Sequence, residues 1–375
     1  MASPKQSLAA GLAETVAGRS LVVVAGSGGV GKTTVSASLG LAAAQHLDGD
    51  VLVLTIDPAR RLASALGIDI DGNDAVNVPV PGGSKSAMYA AMLDPGAAWD
   101  AMIRTEATDE VADRILNNSV YRRIADTFVH GNDYAALGWL DAAIKSERYR
   151  LIIVDTPPSQ NALDFFDAPT RVSEFFGSSL LGWLTGGDGT LAGGAAAKTF
   201  ASLADKLLGA EFFADVVEFF QLMSEVVPGM AERTSAVAAD LAGDDAAFLA
   251  VTAPSADVLH KLDRLAQSLS SRNLTFDGVV VNGVEPDVFA NPKVRDTATR
   301  VVANTKSPLT AGATELVGPG AEYVLERGEV AEAQREVLAS LPASTVATLA
   351  RLVHSPTDID GLIALGHTLW NGDTP

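Results

Sequence analysis

The sequence predicts an α/β fold built on a mostly parallel, doubly wound sheet with helices on both faces. Three observations indicate this fold class: short apolar runs of strand length, a glycine-rich turn directly after the first of them, and acidic residues directly after two others. Such runs are typical of strands that are buried on both faces, as in parallel sheets. They lie near residues 20–25, 51–56, 87–93, 150–155, 247–252 and 277–282.

The glycine-rich turn is GSGGVGKT at residues 26–33, which matches the phosphate-loop pattern GxxxxGKS/T. It precedes residues 34–47, which carry few charges and predict a helix. A helix that begins at such a loop points its positive end at a bound anion. The turn therefore predicts a P-loop NTPase with helical insertions in its sheet. A chance glycine-rich turn is the alternative interpretation.

Each residue type in this loop has a chemical task. Glycines let backbone N–H groups turn inward around phosphate oxygens. Lys32 can place its charge on the β and γ phosphates, and the Thr33 hydroxyl can bind Mg²⁺. The predicted ligands are therefore a nucleoside triphosphate and Mg²⁺. The predicted nucleotide-binding residues of the loop are Gly28, Gly29, Val30, Gly31, Lys32, Thr33 and Thr34.

Two acidic residues follow apolar runs, where a parallel sheet collects its functional side chains. Asp57 comes after residues 51–56, and Asp155 comes after residues 151–154. An aspartate in this place can hold Mg²⁺ through its water shell or orient the attacking water, and phosphoryl transfer requires both. We therefore expect Asp57 and Asp155 to belong to the metal site. An ordinary helix N-cap is the alternative for each, because aspartate is favoured there.

Four segments, in the same order along the chain, resemble one known family. They are TIDPARRLA at 55–63, MLDPGAA at 92–98, DTPPSQNALDFF at 155–166 and VVVN at 279–282. Over roughly residues 20–285 the chain resembles the arsenical-pump ATPases and their relatives, the targeting ATPases for tail-anchored membrane proteins. This resemblance implies an ATPase that uses ATP and Mg²⁺.

The resemblance also implies roles for single residues. Asp57, in the first switch, would position the attacking water and so be catalytic together with Lys32. Residues 155–159 would begin the second switch, and Asn282 would contact adenine. Asn282 has an alternative interpretation as a turn residue after a strand.

The chain departs from the family pattern in the phosphate loop. Members usually carry a second lysine one residue after the first glycine, and this chain has Ser27 there. In a dimer that lysine reaches the neighbour's phosphates, much as an arginine finger does. We therefore predict a heterodimer with a paralogous ATPase subunit that retains the lysine, and a homodimer is the alternative. Arg60 or Arg61 could substitute for the lysine, although a solvated helix face is their plainer interpretation.

A second departure lies at residues 159–161, where the family's usual Thr-Gly-His is replaced by SQN. Asn161 can form hydrogen bonds but does not titrate near neutral pH as histidine does. This replacement leaves nucleotide binding intact and puts in doubt how hydrolysis is relayed to a client site.

Composition narrows the function classes. Cysteine is absent, which removes the thiolates that arsenite binding, a zinc clamp or an iron–sulfur cluster needs. The net charge of −19 repels a phosphate backbone, so we expect no nucleic-acid partner. No apolar run approaches the ~20 residues of a membrane span, and no lysine or arginine follows Arg351. We therefore expect a cytoplasmic protein with no direct membrane span.

The site residues constrain the domain organisation. The predicted site residues must all meet at one nucleotide, although they lie at positions 26, 57, 155 and 282 of the sequence. We therefore predict a single P-loop ATPase domain over residues 1–375. Two helical insertions are expected in it, at 96–148 and 162–245. In the tail after Val284, we expect helices at 323–341 and 344–353 and assign them no role.

The second insertion carries the candidate client or partner surface. Between residues 207 and 227, apolar side chains cover most of a helix circumference, and four acidic residues keep to one stripe. In relatives, helices at this position line a groove for hydrophobic segments, so a hydrophobic protein or lipid-like client is possible here. Packing on the sheet or on a dimer partner is the alternative.

Three functions therefore remain open. The first is a dimeric switch ATPase whose nucleotide state opens and closes the hydrophobic surface. The second is the energising subunit of an anion or metalloid membrane pump. The third is a regulatory scaffold that binds nucleotide and hydrolyses little of it, which Ser27 would suit.

Overall fold

An eight-stranded sheet organises the chain. The computed structural model describes residues 11–56, 60–70, 72–82, 84–124, 131–157, 174, 210–272, 274, 277–304, 311–341, 346–352, 356 and 358–372. The strands run in the order β3-β4-β2-β5-β1-β6-β7-β8. They are β1 (Leu21–Ala25), β2 (Val51–Thr55), β3 (Val76–Val78), β4 (Met88–Met92), β5 (Leu151–Asp155), β6 (Ala246–Thr252), β7 (Gly278–Val284) and β8 (Val346–Ala350).

The sheet is parallel except at one edge. Only β3 pairs antiparallel, with β4, while each of the other neighbouring strands pairs parallel. Strand β1 lies between β5 and β6, so the chain first builds the sheet on one side of β1 and then on the other. A loop that leaves the carboxyl end of β1 therefore begins at the topological switch point, where open α/β sheets bind ligands.

Helices cover both faces of this sheet. They are α1 (Gly11–Ala17), α2 (Lys32–His46), α3 (Arg61–Leu66), α4 (Pro95–Glu106), α5 (Asp109–Asn117), α6 (Ser119–Ile124), α7 (Gly131–Lys145), α8 (Ala210–Leu241), α9 (Val258–Ser270), α10 (Pro292–Asn304), α11 (Ala311–Ala339) and α12 (Ile359–Asn371). A short 3-10 helix, Asp287–Ala290, precedes α10.

Alternating side chains of the strands divide the core into two layers. Val22 and Val24 of β1 face the layer that α1, α2, α3 and α12 complete. Leu21 and Val23 face the opposite layer, which α4 to α8 complete. The predicted doubly wound α/β P-loop fold is confirmed, and the six predicted strands each form within two residues of the expected position.

Helix α2 is held tightly between the sheet and α12. An added Cβ at Gly40 would lie 2.4 Å from Val53 Cγ2, and one at Gly366 of α12 would lie 2.4 Å from the Ser38 carbonyl oxygen. Glycine is required at both places because these contacts leave no room for a side chain. This packing fixes the helix that begins at the phosphate loop.

One prediction for the tail is wrong. The sequence predicted a helix at 344–353, but residues Val346–Ala350 form β8, which pairs parallel with β7. A short apolar run without turn residues fits a helix or a buried strand equally well, and the open edge of β7 decided between them. The other predicted tail helix, at 323–341, lies within α11 as far as Ala339, where α11 ends. Helix α12 and the edge strand β3 were not predicted.

The division of the chain into one domain with two insertions stays a prediction. Helices α4 to α7 lie between β4 and β5, whereas only residue 174 and residues 210–245 of the second insertion are described. Among the described residues, no helix is both long enough and apolar enough to cross a bilayer.

Candidate nucleotide site

The phosphate loop leaves β1 at the centre of the sheet and turns into α2. Gly29 and Gly31 have φ angles of 77° and 94°, a left-handed backbone conformation that residues other than glycine rarely adopt. Gly31 is the N-cap of α2, and the backbone N–H of Val35 donates to its carbonyl oxygen at 2.9 Å. At Gly26, an added Cβ would lie 2.2 Å from the Val251 carbonyl oxygen of β6. The loop therefore exposes backbone to a ligand and is packed on the neighbouring strand.

Lys32 lies inside this loop. Its ammonium group donates to the carbonyl oxygens of Gly26 at 2.9 Å and Ser27 at 3.2 Å, and the residue is only 6% exposed. A buried ammonium is costly unless hydrogen bonds and an anion compensate it. The loop therefore holds a positive charge at the place where its own N–H groups would receive phosphate oxygens.

Asp155 ends β5 and lies beside the first turn of α2. The Thr33 hydroxyl donates to Asp155 Oδ2 at 2.7 Å, and the Thr55 hydroxyl donates to the same oxygen at 3.0 Å. Asp155 is fully buried, and Thr55 is 1% exposed. The register of parallel strands explains this meeting, because β2 and β5 place Thr55 directly opposite Asp155.

Asn282 contacts the loop from β7. Its side-chain amide donates to the Val30 carbonyl oxygen at 2.8 Å, and an added Cβ at Gly31 would lie 2.3 Å from the same nitrogen. The interpretation as a turn residue after a strand is wrong, because β7 continues to Val284, past a register shift between Asn282 and Val284. The adenine contact of Asn282 stays a prediction.

The structure brings together some of the predicted site residues. Loop residues 28–34, Asp155 and Asn282 lie at the carboxyl ends of β1, β5 and β7. Asp57 and residues 159–161 lie outside the described residues. Arg60, proposed as a substitute for the missing lysine, has a φ of 52° and donates from its guanidinium to the Ile70 carbonyl oxygen at 3.0 Å. Arg61 is exposed at the first position of α3.

The donor set fits a triphosphate with a magnesium ion. Mg²⁺ prefers oxygen ligands, and Thr33 and Asp155 offer a hydroxyl and a carboxylate 2.7 Å apart. A helix N-terminus, left-handed glycines and an ammonium group together suit phosphate oxygens. We conclude that these residues can hold the nucleotide and the metal, with Asp57 as a further metal and catalytic residue predicted by the sequence alone.

Comparison with known proteins identifies the family. The sequence model of the family described as anion-transporting ATPase matches residues 19–302, which is most of the chain. The chain belongs to the anion-transporting ATPase family. It is therefore an ATPase, that is, an ATP hydrolase, as the resemblance noted in the sequence implied.

Individual relatives of this chain carry the name ATPase. The ATPase get3 of Schizosaccharomyces pombe is 30% identical over 156 residues, which cover 42% of this chain and 45% of that protein. The ATPase GET3 of Podospora anserina is 27% identical over 272 residues, covering 70% of this chain and 72% of that protein. The ATPase ASNA1 homolog of Plasmodium berghei is 24% identical, with coverages of 71% and 64%. This chain thus spans less than half of the Schizosaccharomyces protein.

Sequence reasoning missed Thr55 as a member of the site. It is the one polar residue in the run at 51–56, two positions before Asp57. A hydroxyl in a strand that is otherwise buried and apolar must find a partner. That requirement was the available signal, and the partner became visible only when β5 was placed beside β2.

Proposed function

We propose that this chain is a dimeric switch ATPase that couples its nucleotide state to an apolar helical surface for a hydrophobic protein client. The observation that carries the hydrolytic part is the convergence of Thr33 and Thr55 on Asp155 beside the loop that holds Lys32. It supports a phosphate site and a metal site at one point of the sheet. We place the protein in the cytoplasm.

The residues divide the work of hydrolysis. The loop N–H groups and Lys32 hold the phosphates and stabilise the negative charge that develops during transfer. Thr33 and Asp155 would hold Mg²⁺, which neutralises charge on the β and γ phosphates when bound. Asp57 would orient the attacking water. Asn282 holds the Val30 carbonyl and thereby the shape of the loop.

Nucleotide titration of variants tests this site. Lys32→Ala should weaken ATP binding about ten-fold or more, because a charge-assisted contact is lost. Asp155→Asn should retain ATP binding in EDTA and lose the gain in affinity that Mg²⁺ confers. Lys261→Ala is the control, because this exposed lysine contacts nearby residues of its own segment, Asp257 at 3.0 Å and Ser255 at 3.4 Å. If calorimetry detects no adenine nucleotide binding to the wild-type chain, the proposed function is wrong.

Helix α8 buries part of the candidate client surface in the protein core. Phe219, Leu222 and Met223 are buried, at 2%, 4% and 1% exposure, and belong to the core beneath the sheet. Phe212 and Phe220 are only partly buried at its margin. Packing thus explains one side of the predicted apolar circumference, and the half-buried side supports a client surface.

Polar contacts attach the first half of α8 to the α5 and α6 helices. The Arg114 guanidinium donates to Glu218 at 2.6 Å, and the Ser119 hydroxyl donates to the Asp215 carboxylate. Asn118 also donates to the Asp215 carbonyl oxygen at 3.0 Å. The acidic stripe of the sequence therefore faces neighbouring helices in part, which leaves Phe212 and Phe220 as the apolar residues to test.

Client capture can be measured with a synthetic leucine-rich helix of membrane-span length. Phe220→Asp should fold and bind ATP while capturing less of this peptide, because a charge opposes an apolar contact. Ser224→Asp, at an exposed position of the same helix, is the matched control. Met223→Asp should destabilise the fold, since it buries a charge. Unchanged capture by Phe220→Asp would remove α8 as the client surface.

The partner subunit is proposed from Ser27. A dimer of this chain alone lacks the lysine that family members usually supply across the interface, so a paralogue with that lysine would complete one of the two sites. The same residue favours a second candidate function, a nucleotide-binding regulatory subunit that hydrolyses little ATP. Copurification from the native cell distinguishes them, because only the first requires an active, lysine-bearing partner.

A further inference from the structure

Thr55 joins two strands of the nucleotide site. It is the last residue of β2, and its hydroxyl donates to Asp155 Oδ2 of β5 at 3.0 Å. The backbone ties the same point together, because the N–H of Ile56 donates to the Asp155 carbonyl oxygen at 3.0 Å. The Thr55 carbonyl oxygen also accepts from the N–H of Leu93 at 3.1 Å. Thr55 is therefore fixed on both sides before it contacts the carboxylate.

The Thr55 hydroxyl lies among apolar residues, where a hydroxyl without a hydrogen-bond partner would destabilise the fold. Leu54 and Val154, the residues before Thr55 and Asp155, are fully buried. Valine would suit the same strand position by size and branching. A hydroxyl in such a place needs a hydrogen-bond partner, and here the partner is a residue that we assign to the metal site.

The contact restricts the orientation of the Asp155 carboxylate. The terminal torsion of an aspartate is broad, so the carboxylate plane is not fixed by its own rotamer. Thr33 and Thr55 donate to the same oxygen from two different elements, α2 and β2. Two donors from separate elements restrict the direction of that oxygen more than one donor does.

We propose that Thr55 is a positioning residue that orients the Asp155 carboxylate for Mg²⁺ and so sets the Mg²⁺ requirement of the ATPase. This inference rests on the proposed function of the site and adds a residue to it. Thr55 contacts neither the nucleotide nor the metal in this scheme. It acts through Asp155, and its removal should change the affinity for the ion and leave the phosphate loop intact.

The test compares Thr55→Val, Thr55→Ser and wild type in full-length protein. We measure the Mg²⁺ concentration at which half of the Mg²⁺-dependent gain in ATP affinity appears, and the ATP affinity in EDTA. Thr55→Val should raise the half-maximal Mg²⁺ concentration about ten-fold, the size expected for one hydrogen bond to a charged group. Thr55→Ser keeps the donor and should stay within about two-fold of wild type. ATP affinity in EDTA should be the same in all three.

The control for loss of a buried hydroxyl is Thr234→Val. Thr234 is fully buried on α8, and its hydroxyl donates to the Met230 carbonyl oxygen at 2.9 Å, away from the loop. The Thr234→Val variant should have the same Mg²⁺ requirement as wild type. If Thr55 had a purely structural role, Thr55→Val would also leave the Mg²⁺ requirement unchanged, even if its melting temperature fell. If Thr55→Val does not fold, Thr55→Ala is measured in its place.

The outcomes separate this inference from the proposed function. A wild-type chain without Mg²⁺-dependent ATP binding contradicts the proposed function itself. A wild-type chain with that dependence, together with a Thr55→Val variant of unchanged Mg²⁺ requirement, overturns the role of Thr55 alone. Failure of Thr55→Ser to restore the wild-type requirement also overturns it.

Discussion

Gly31 shows at the scale of one residue how the loop is built. Its φ of 94° requires glycine, and the space where a side chain would start is taken by the amide of Asn282. That amide donates to the carbonyl oxygen of the preceding residue, Val30. The left-handed turn and the hydrogen bond from β7 therefore support each other, and the loop conformation depends on a residue about 250 positions away.

We predict that Gly31→Ala loses both stability and ATP binding. A left-handed alanine costs about 1–2 kcal/mol, and its Cβ would displace Asn282 from the loop. Gly67→Ala is the control, because Gly67 has a φ of 65° with no atom within 4 Å of an added Cβ, outside the site. Urea unfolding should show a loss in both variants, and calorimetry a loss of ATP affinity in Gly31→Ala only. Normal ATP affinity in Gly31→Ala would show that Asn282 does not shape the loop.

Residues differ in how far the sequence could identify them. Lys32 and Thr33 were identifiable because the motif spacing is local. Thr55 was not, since its partner Asp155 is 100 residues away and the pairing depends on strand order. Asn282 was expected near the nucleotide through the family resemblance, but its contact with the Val30 carbonyl needed the structure.

At the scale of elements, Arg233 anchors the second half of helix α8. Arg233 contacts Glu106 of α4 at 2.6 Å and Asp141 of α7 at 2.8 Å. Lys145 also contacts Asp141 at 2.8 Å. Asp141 is 2% exposed, so its charge depends on these partners. The second half of the helix is thus fixed to the same α4 and α7 that cover the sheet.

We predict that Arg233→Met destabilises the protein by about 3 kcal/mol, at the lower end for a broken buried pair because Arg233 is 25% exposed. The control is Arg114→Met, which removes the exposed contact of α5 with Glu218 on the same helix and should change stability much less. Urea unfolding at neutral pH measures both. Equal losses would mean that burial of Asp141 does not determine the strength of the anchor.

Tyr134 of α7 gives the protein a pH-dependent stability. Burial raises the pKa of its hydroxyl to about 12, and its ring stacks on Trp99 of α4 with centroids 5.3 Å apart. Between the ordinary tyrosine pKa of about 10 and this value, the unfolded chain loses the proton before the folded chain does. The contribution of Tyr134 is therefore complete below pH ~10 and declines as the pH rises towards ~12.

We expect this group to lower the free energy of unfolding by up to roughly 2–3 kcal/mol across that interval. Other groups also titrate there, so the measurement is the difference between wild type and Tyr134→Phe in urea unfolding at pH 9, 10 and 11. The free energy of unfolding of wild type should fall relative to that of Tyr134→Phe as the pH rises. A difference that is independent of pH would contradict the assignment.

At the scale of the whole molecule, the sheet order brings the site together. Because β1 lies between β5 and β6, the phosphate loop lies beside Asp155 at the end of β5. On the other side of β1, β6 is followed in the sheet by β7, which carries Asn282. Helices α4 to α7, between β4 and β5, cover one face away from the loop helix α2. The helix that begins at the phosphate loop and the candidate client surface of α8 therefore lie on opposite faces of the same sheet.

Ser27 leads to a prediction about the assembly. Wild-type chain alone should hydrolyse ATP slowly, and Ser27→Lys should raise turnover about ten-fold or more, since residues of this kind contribute ~10³ to 10⁵ as arginine fingers. Ser27→Ala is the control and should remain slow. Sedimentation with ATP reports whether each chain dimerises. Brisk turnover by a pure wild-type homodimer would contradict the need for a lysine-bearing partner.

The sequence by itself determined the fold class, the phosphate loop and the family. Those depend on local spacing and on the apolarity of buried strands, which are written in consecutive residues. Only the tertiary structure decided that 346–350 is a strand, that Met223 belongs to the core, and that Thr55 and Asn282 contact the site. Each of these depends on which distant segment packs alongside, and hydrogen bonding and burial between segments are properties of the folded chain as a whole.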